Sequence, residues 1–114
     1  MRLIMRIGVM LMLMGVGVWL ASPAFQAAEK PNGLALYARR CVMCHGRDGK
    51  GFKAMKTQDF TDPKWQASVK DEQIADIIKN GKKESHMPAF GDKLNDEEIQ
   101  AIVGHIRTLN SAKK

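Results

Sequence analysis

Apolar residues recur at helical spacing in three stretches of the chain, and no run after residue 28 alternates as a half-buried strand requires. The last stretch is the clearest. Ile99, Ile102, Val103, Ile106 and Leu109 fall on one helical face. Asn95 stands where an N-cap belongs, and Glu98 three residues later completes a capping box. Leu94 and Ile99 are spaced to form a hydrophobic staple across that start. A second helix is predicted from Asp71, with Ile74, Ile77 and Ile78 on one face and Gly81 as its left-handed stop. A third begins at Pro31 and runs to about Met43, placing Leu34, Tyr37, Ala38 and Cys41 at three- and four-residue spacings. Between them, Thr61-Asp62-Pro63 opens a short helical turn containing Trp65. Residues 47–60 carry Gly49 and Gly51 and hold no period, so they read as loop, and the final SAKK reads as a solvated tail. The expected fold class is all-α.

Residues 1–28 follow a different pattern. Arg2 and Arg6 precede an uncharged apolar run from Ile7 to Ala21, followed by small-residue cleavage sites after Ala24 or Ala28. That is the layout of a secretory signal peptide, with an uncleaved N-terminal anchor as the alternative. The run of 15 residues is short against the roughly 20 that a spanning helix needs. Either way the domain, residues 29–114, is expected to be exported, and the periplasm is its expected place. The full chain carries a formal +6, and residues 29–114 carry +4. Only Met43, Met55 and Met87 fall within that segment. A domain this small buries a modest core and often depends on a staple, metal or cofactor.

The two cysteines of the chain both lie in CVMCHG, residues 41–46. A disulfide there closes a very small loop, restrains the unfolded chain little, and leaves His45 without a role. A redox dithiol wants its first cysteine at a helix start following a strand, and no such strand is predicted. Structural zinc wants four ligands in spaced pairs, and neither His86 nor His105 forms one. The pattern C-x-x-C-H is best read as c-type haem attachment, which uses every residue. Each thiol adds across one haem vinyl group to give a thioether, and the adjacent histidine is held beneath the iron as axial ligand.

In sum, these features resemble the class I monohaem cytochromes c, small exported electron carriers with helices and loops wrapped around one covalent haem. The resemblance covers roughly residues 31–110. Gly33, Tyr37 and Cys41, each four apart, are similar to the family's N-terminal pattern of glycine, aromatic and first cysteine. KNGKKESHMPAFGDKL resembles its distal-ligand segment, and DEEIQAIVGHIRTL its C-terminal helix, which crosses the N-terminal one. The resemblance implies thioethers from Cys41 and Cys44, His45 as proximal ligand and Met87 as distal ligand. Trp65 then offers a contact to a haem propionate, with core packing as the alternative. Two departures stand out. His105 occupies the place of the usual C-terminal aromatic, and the loop after His45 lacks the proline whose carbonyl often fixes the proximal imidazole. Another carbonyl is therefore expected to accept from His45 Nδ1.

Met87 follows His45 by 42 residues, enough chain to wrap a haem and return. A thioether is a soft, neutral ligand that favours Fe(II), so His/Met ligation raises the reduction potential. His86 and Met55 are the rivals for this position, and Met43 is expected at core or surface. With both axial positions filled, substrate has no access to the iron, and a carrier needs no catalytic acid or base. No catalytic residue is assigned. Lys50, Lys53 and Lys56, with Lys79, Lys82 and Lys83, offer a basic rim that would dock acidic patches of redox partners. No nucleic-acid partner is expected, and a membrane only if the N-terminal segment stays uncleaved. The leading expectation is a single-electron carrier between respiratory partners. The alternatives are a haem subunit of a larger oxidoreductase, or a ligand sensor or peroxidase if the methionine is labile.

Overall fold

The computed structural model describes residues 28–114; residues 1–27 of the expected leader, with the cleavage site after Ala24 and the candidate anchor, lie outside the described residues. Five helices follow in order: α1 (Gly33–Arg40), α2 (Val42–His45), α3 (Pro63–Ser68), α4 (Asp71–Asn80) and α5 (Asp96–Thr108). Short 3-10 turns span Lys53–Met55, Lys83–Ser85 and Ser111–Lys113. Among the described residues there is no strand, only one isolated bridge between Lys82 and Met87. No described helix is long and apolar enough to cross a membrane.

The caps read from the sequence are where the helices start. Asn95 Oδ1 accepts from the Glu98 N–H at 2.9 Å, and Glu98 Oε2 accepts from the Asn95 N–H at 2.9 Å. Asp62 Oδ1 accepts from the Lys64 N–H at 2.9 Å, with Pro63 as the first helical residue of α3. For α1 the cap is Asn32, whose Oδ1 accepts from Ala35, so Pro31 lies before the helix instead of in its first turn. The single helix expected to reach about Met43 is two. Cys41 opens to φ −116°, and the Tyr37 hydroxyl takes the Gly46 carbonyl at 2.8 Å, folding the second turn back toward α1. The terminal SAKK is exposed as expected but adds a 3-10 turn, with the Ser111 N–H donating to the Thr61 carbonyl.

Helices α1 and α5 cross where Gly33 meets the Ala101 carbonyl so closely that any Cβ would overlap it. The core joins Tyr37, Phe60, Ile74, Ile78, Leu94, Ile99, Ile102, Val103 and Ile106. Burying each large aliphatic side chain contributes roughly 1.5–3 kcal/mol relative to exposure, and four of these lie on α5. Leu34 departs from its expected inward place, being 60% exposed, because Gly33 and Tyr37 occupy the α1 face that meets α5.

A buried glutamine and an arginine fasten the remaining elements. Gln66 Nε2 donates to the carbonyls of Phe60 at 2.7 Å and Ile106 at 2.9 Å. Arg107 donates from Nη1 to Gln66, from Nη2 to the Val69 carbonyl, and from Nε to Asp71 Oδ1 at 2.7 Å. The C-terminal end of α5 is thereby tied to the start of α4 and to the residues that follow the loop 47–60.

Candidate functional site

Helix α2 is a single turn, and it brings three reactive groups together. Cys44 and His45 both send their N–H to the Cys41 carbonyl, at 3.2 and 2.9 Å. Residues three and four apart on a helical turn share a face, so Cys41 neighbours both Cys44 and His45. Cys41 is partly buried and packs against the core, whereas Cys44 is exposed. Burial first, and then the neighbouring Cys44, push the Cys41 thiol up to about 11. A redox-active dithiol needs the opposite shift, so the thioredoxin-like reading loses its chemistry here.

The imidazole of His45 is held in an apolar setting. Its ring stacks on Phe60 with centroids 4.6 Å apart and planes 18° from parallel. Burial lowers its pKa from the ordinary value, while the Gln58 backbone carbonyl acts in the opposite sense. The ring is therefore neutral near pH 7, with a lone pair free for a metal. Nδ1 is buried and has no hydrogen-bond partner of good geometry. A buried unpaired polar nitrogen is costly, so Nδ1 here lacks the acceptor that a ligating imidazole ordinarily has. The Gln58 backbone carbonyl lies near enough to act on the imidazole and is the candidate for the place of the missing proline's carbonyl.

The loop after the motif is folded back onto it. The His45 carbonyl accepts from Gly51 at 2.8 Å, and the Gly49 carbonyl accepts from Phe60 at 2.8 Å. Tyr37 reaches across from α1 to Gly46, and burial raises its phenol pKa. His105 does fill the place of the expected aromatic on α5, its ring 4.9 Å from that of Tyr37.

Met87 is carried by a different device. The chain leaves α4 at Gly81 (φ 74°), turns through Lys83–Ser85, and returns so that Lys82 and Met87 exchange two main-chain bonds. A Cβ on Gly81 would sit 2.7–2.9 Å from backbone atoms of Met87, Pro88 and Ala89, so the close return requires glycine. Met87 is partly buried against the core, as are Cys41, Trp65 and Phe90. Its rivals are not: Met55 is 51% exposed and His86 is exposed in a left-handed conformation, while Met43 lies at the surface, 90% exposed. Trp65 lies against Phe60 with ring centroids 5.1 Å apart. Phe52 is 46% exposed.

Among the described residues no group of three or more His, Cys, Asp or Glu side chains gathers to hold a bare metal ion. Haem fits this chemistry, because its ring supplies the equatorial nitrogens and the protein need supply only axial ligands and anchors. Of the basic side chains, Lys50, Lys53, Lys56, Lys82 and Lys83 are exposed. Lys79 is exposed as well and pairs with Asp96 at 2.9 Å, which raises its pKa.

A family described as cytochrome C oxidase, cbb3-type, subunit III matches residues 28–106. The chain is 31% identical over 93 residues to the cbb3-type cytochrome c oxidase subunit FixP of Azorhizobium caulinodans, covering 82% of the chain and 31% of that protein. It spans under a third of the length of the cbb3 subunits it matches. It is also 32% identical over 106 residues to cytochrome c6 of Gloeothece citriformis, covering 93% of the chain and 92% of the relative. Among solved structures, the KustC0563 c-type cytochrome superposes with a TM-score of 0.65 at 34% identity, over 69% of the chain and 98% of that structure.

Proposed function

The chain belongs to the c-type cytochrome family described as cytochrome C oxidase, cbb3-type, subunit III, and from that premise we propose that it carries single electrons through a His/Met-ligated haem between redox proteins outside the cytoplasm. It is an electron carrier of the cytochrome c family, and its cofactor is covalently attached haem c. When bound, haem c supplies a one-electron iron couple whose potential the axial ligands and burial tune. Cys41 and Cys44 are the thioether anchors, and His45 holds the iron through Nε2. A bond from its Nδ1–H to the nearby Gln58 carbonyl would raise the basicity of the ligand. Met87 gives the distal sulfur, and Ile74, Ile77 and Ile78 with Trp65 exclude water from the ring. The exported compartment follows from the leader-like residues 1–28, whether cleaved or kept as an anchor.

The observation that carries this reading is the turn that sets Cys44 and His45 on the Cys41 carbonyl, with the imidazole held against Phe60. Lys50, Lys53, Lys56, Lys82 and Lys83 are exposed and suited to docking an acidic partner, while Lys79 is occupied by Asp96. The likeness to cytochrome c6 spans most of those relatives and favours a stand-alone carrier. The cbb3 relatives favour a second reading, in which the same domain passes electrons as a subunit of an oxidase.

Redox titration of the purified holoprotein tests the proposal. A reversible one-electron wave is expected, with electron transfer to an acidic partner that slows as salt rises. Irreversible titration, or turnover of peroxide at the rate of an enzyme, would overturn it.

A further inference from the structure

Phe60 has no part in the site read from the sequence, yet it makes the closest ring contact to His45. Its ring lies 4.6 Å from the imidazole and within 18° of parallel. A parallel stack blocks rotation of the imidazole about its Cβ–Cγ bond, since any turn drives one ring edge into the other face.

Phe60 is itself held at every side. Its N–H donates to Gly49 at 2.8 Å, and its carbonyl accepts from Gln66 Nε2 at 2.7 Å. Trp65 packs on the ring at 5.1 Å, and Tyr37 meets it edge-on at 6.4 Å. Gln66 in turn is held by Arg107 of α5. Only 6% of Phe60 is exposed. Two residues earlier in the same segment, the Gln58 carbonyl approaches the imidazole.

We propose that Phe60 is a positioning residue for the iron ligand: its ring fixes the plane of the His45 imidazole so that Nδ1 is aimed at the Gln58 carbonyl. The segment 58–60 thus supplies both an edge restraint and a face restraint from one short stretch. The inference rests on His45 being the proximal ligand.

The test uses the holoprotein with Phe60→Leu and Phe60→Met, which keep bulk without a flat face, and Phe60→Tyr, which keeps the ring. In the oxidised state, the pattern of haem methyl shifts in proton NMR reports the orientation of the axial imidazole. Both aliphatic variants are expected to change that pattern, and to speed exchange of the Nδ1 proton about tenfold, the upper end of what an aromatic pair contributes. Phe60→Tyr is expected to keep the parental pattern. Ile106→Val, a core change on α5 that leaves the stack in place, is expected to lower stability without moving the methyl shifts. If one aliphatic variant does not accumulate, the other carries the reading. A parental methyl pattern in a folded Leu or Met variant would overturn the role of Phe60 and leave His45 ligation standing. A His45→Ala chain that kept the low-spin spectrum of the parent would overturn the ligation itself.

Discussion

His45 stands on a helical turn whose main chain is closed by bonds from His45 to Cys41 and from Gly51 to His45, with its ring against Phe60 and its neighbour Gly46 tied to Tyr37. Met87 stands at the end of a loop closed by two main-chain bonds to Lys82, with Lys82–His86 exposed between them. The proposed proximal ligand is thus built into the packing of α1, α5 and the loop 47–60. The proposed distal ligand is held by that closure and by bonds from Phe90 and Gly91 to the end of α4, all within one local segment. Ligands held by long-range packing are costly to displace, whereas loop-borne ligands yield locally. The fold should therefore survive loss of the distal ligand, and the proximal turn should determine whether haem is held at all.

The comparison can be broken most severely at the anchors. Replacing both thiols, Cys41→Ser with Cys44→Ser, is expected to abolish covalent haem, read as the apo mass of the purified chain. Met87→Ala is expected to keep the haem while losing the sulfur-to-iron band and lowering the potential, with His86→Ala close to the parent. A Met87→Ala protein with the parental spectrum and potential would mean that another group fills the distal position. Gly81→Ala should strike the distal side alone, costing roughly 1–3 kcal/mol in denaturant unfolding for a positive φ and a backbone clash. Tyr37→Phe should strike the proximal side alone. It removes one of two donors to the Gly46 carbonyl, since Gly49 also donates there at 3.2 Å, so about 1 kcal/mol is expected.

The smallest expected effect is a pH slope. Burial lowers the pKa of His105 below its ordinary value of 6.5. As pH falls below that value the unfolded chain takes up the proton first, so stability declines until the lowered folded value is passed, then levels. Above about pH 6.5 the group contributes no slope. His105→Phe is expected to remove this contribution, seen as a flatter plot of Tm against pH between the two values.

Much of this architecture is legible in the sequence where the signal is local. The Asn95–Glu98 box, the α5 stripe and the Gly81 stop need only neighbours within a few residues. The haem-attachment reading of Cys41, Cys44 and His45 likewise needs only local spacing. What escaped were contacts made across the chain. Phe60 and Gln58 lie in a segment without period, and Gln66 and Arg107 are polar residues whose partnership spans 41 positions. Nothing in a local window marks them. The break at Cys41 and the exposure of Leu34 were missed for the same reason, because Tyr37 and Gly33 are committed to partners elsewhere. The one sequence hint toward Gln58 was an absence, the proline missing from the loop after His45.

The His/Met carrier stands or falls on the optical spectrum of the purified holoprotein, oxidised and then reduced under carbon monoxide. A sulfur-to-iron charge-transfer band in the oxidised protein, with a reduced spectrum unchanged by carbon monoxide, is the expected result. Absence of that band with rapid binding of carbon monoxide would contradict it, leaving an open iron and a protein that senses or reacts.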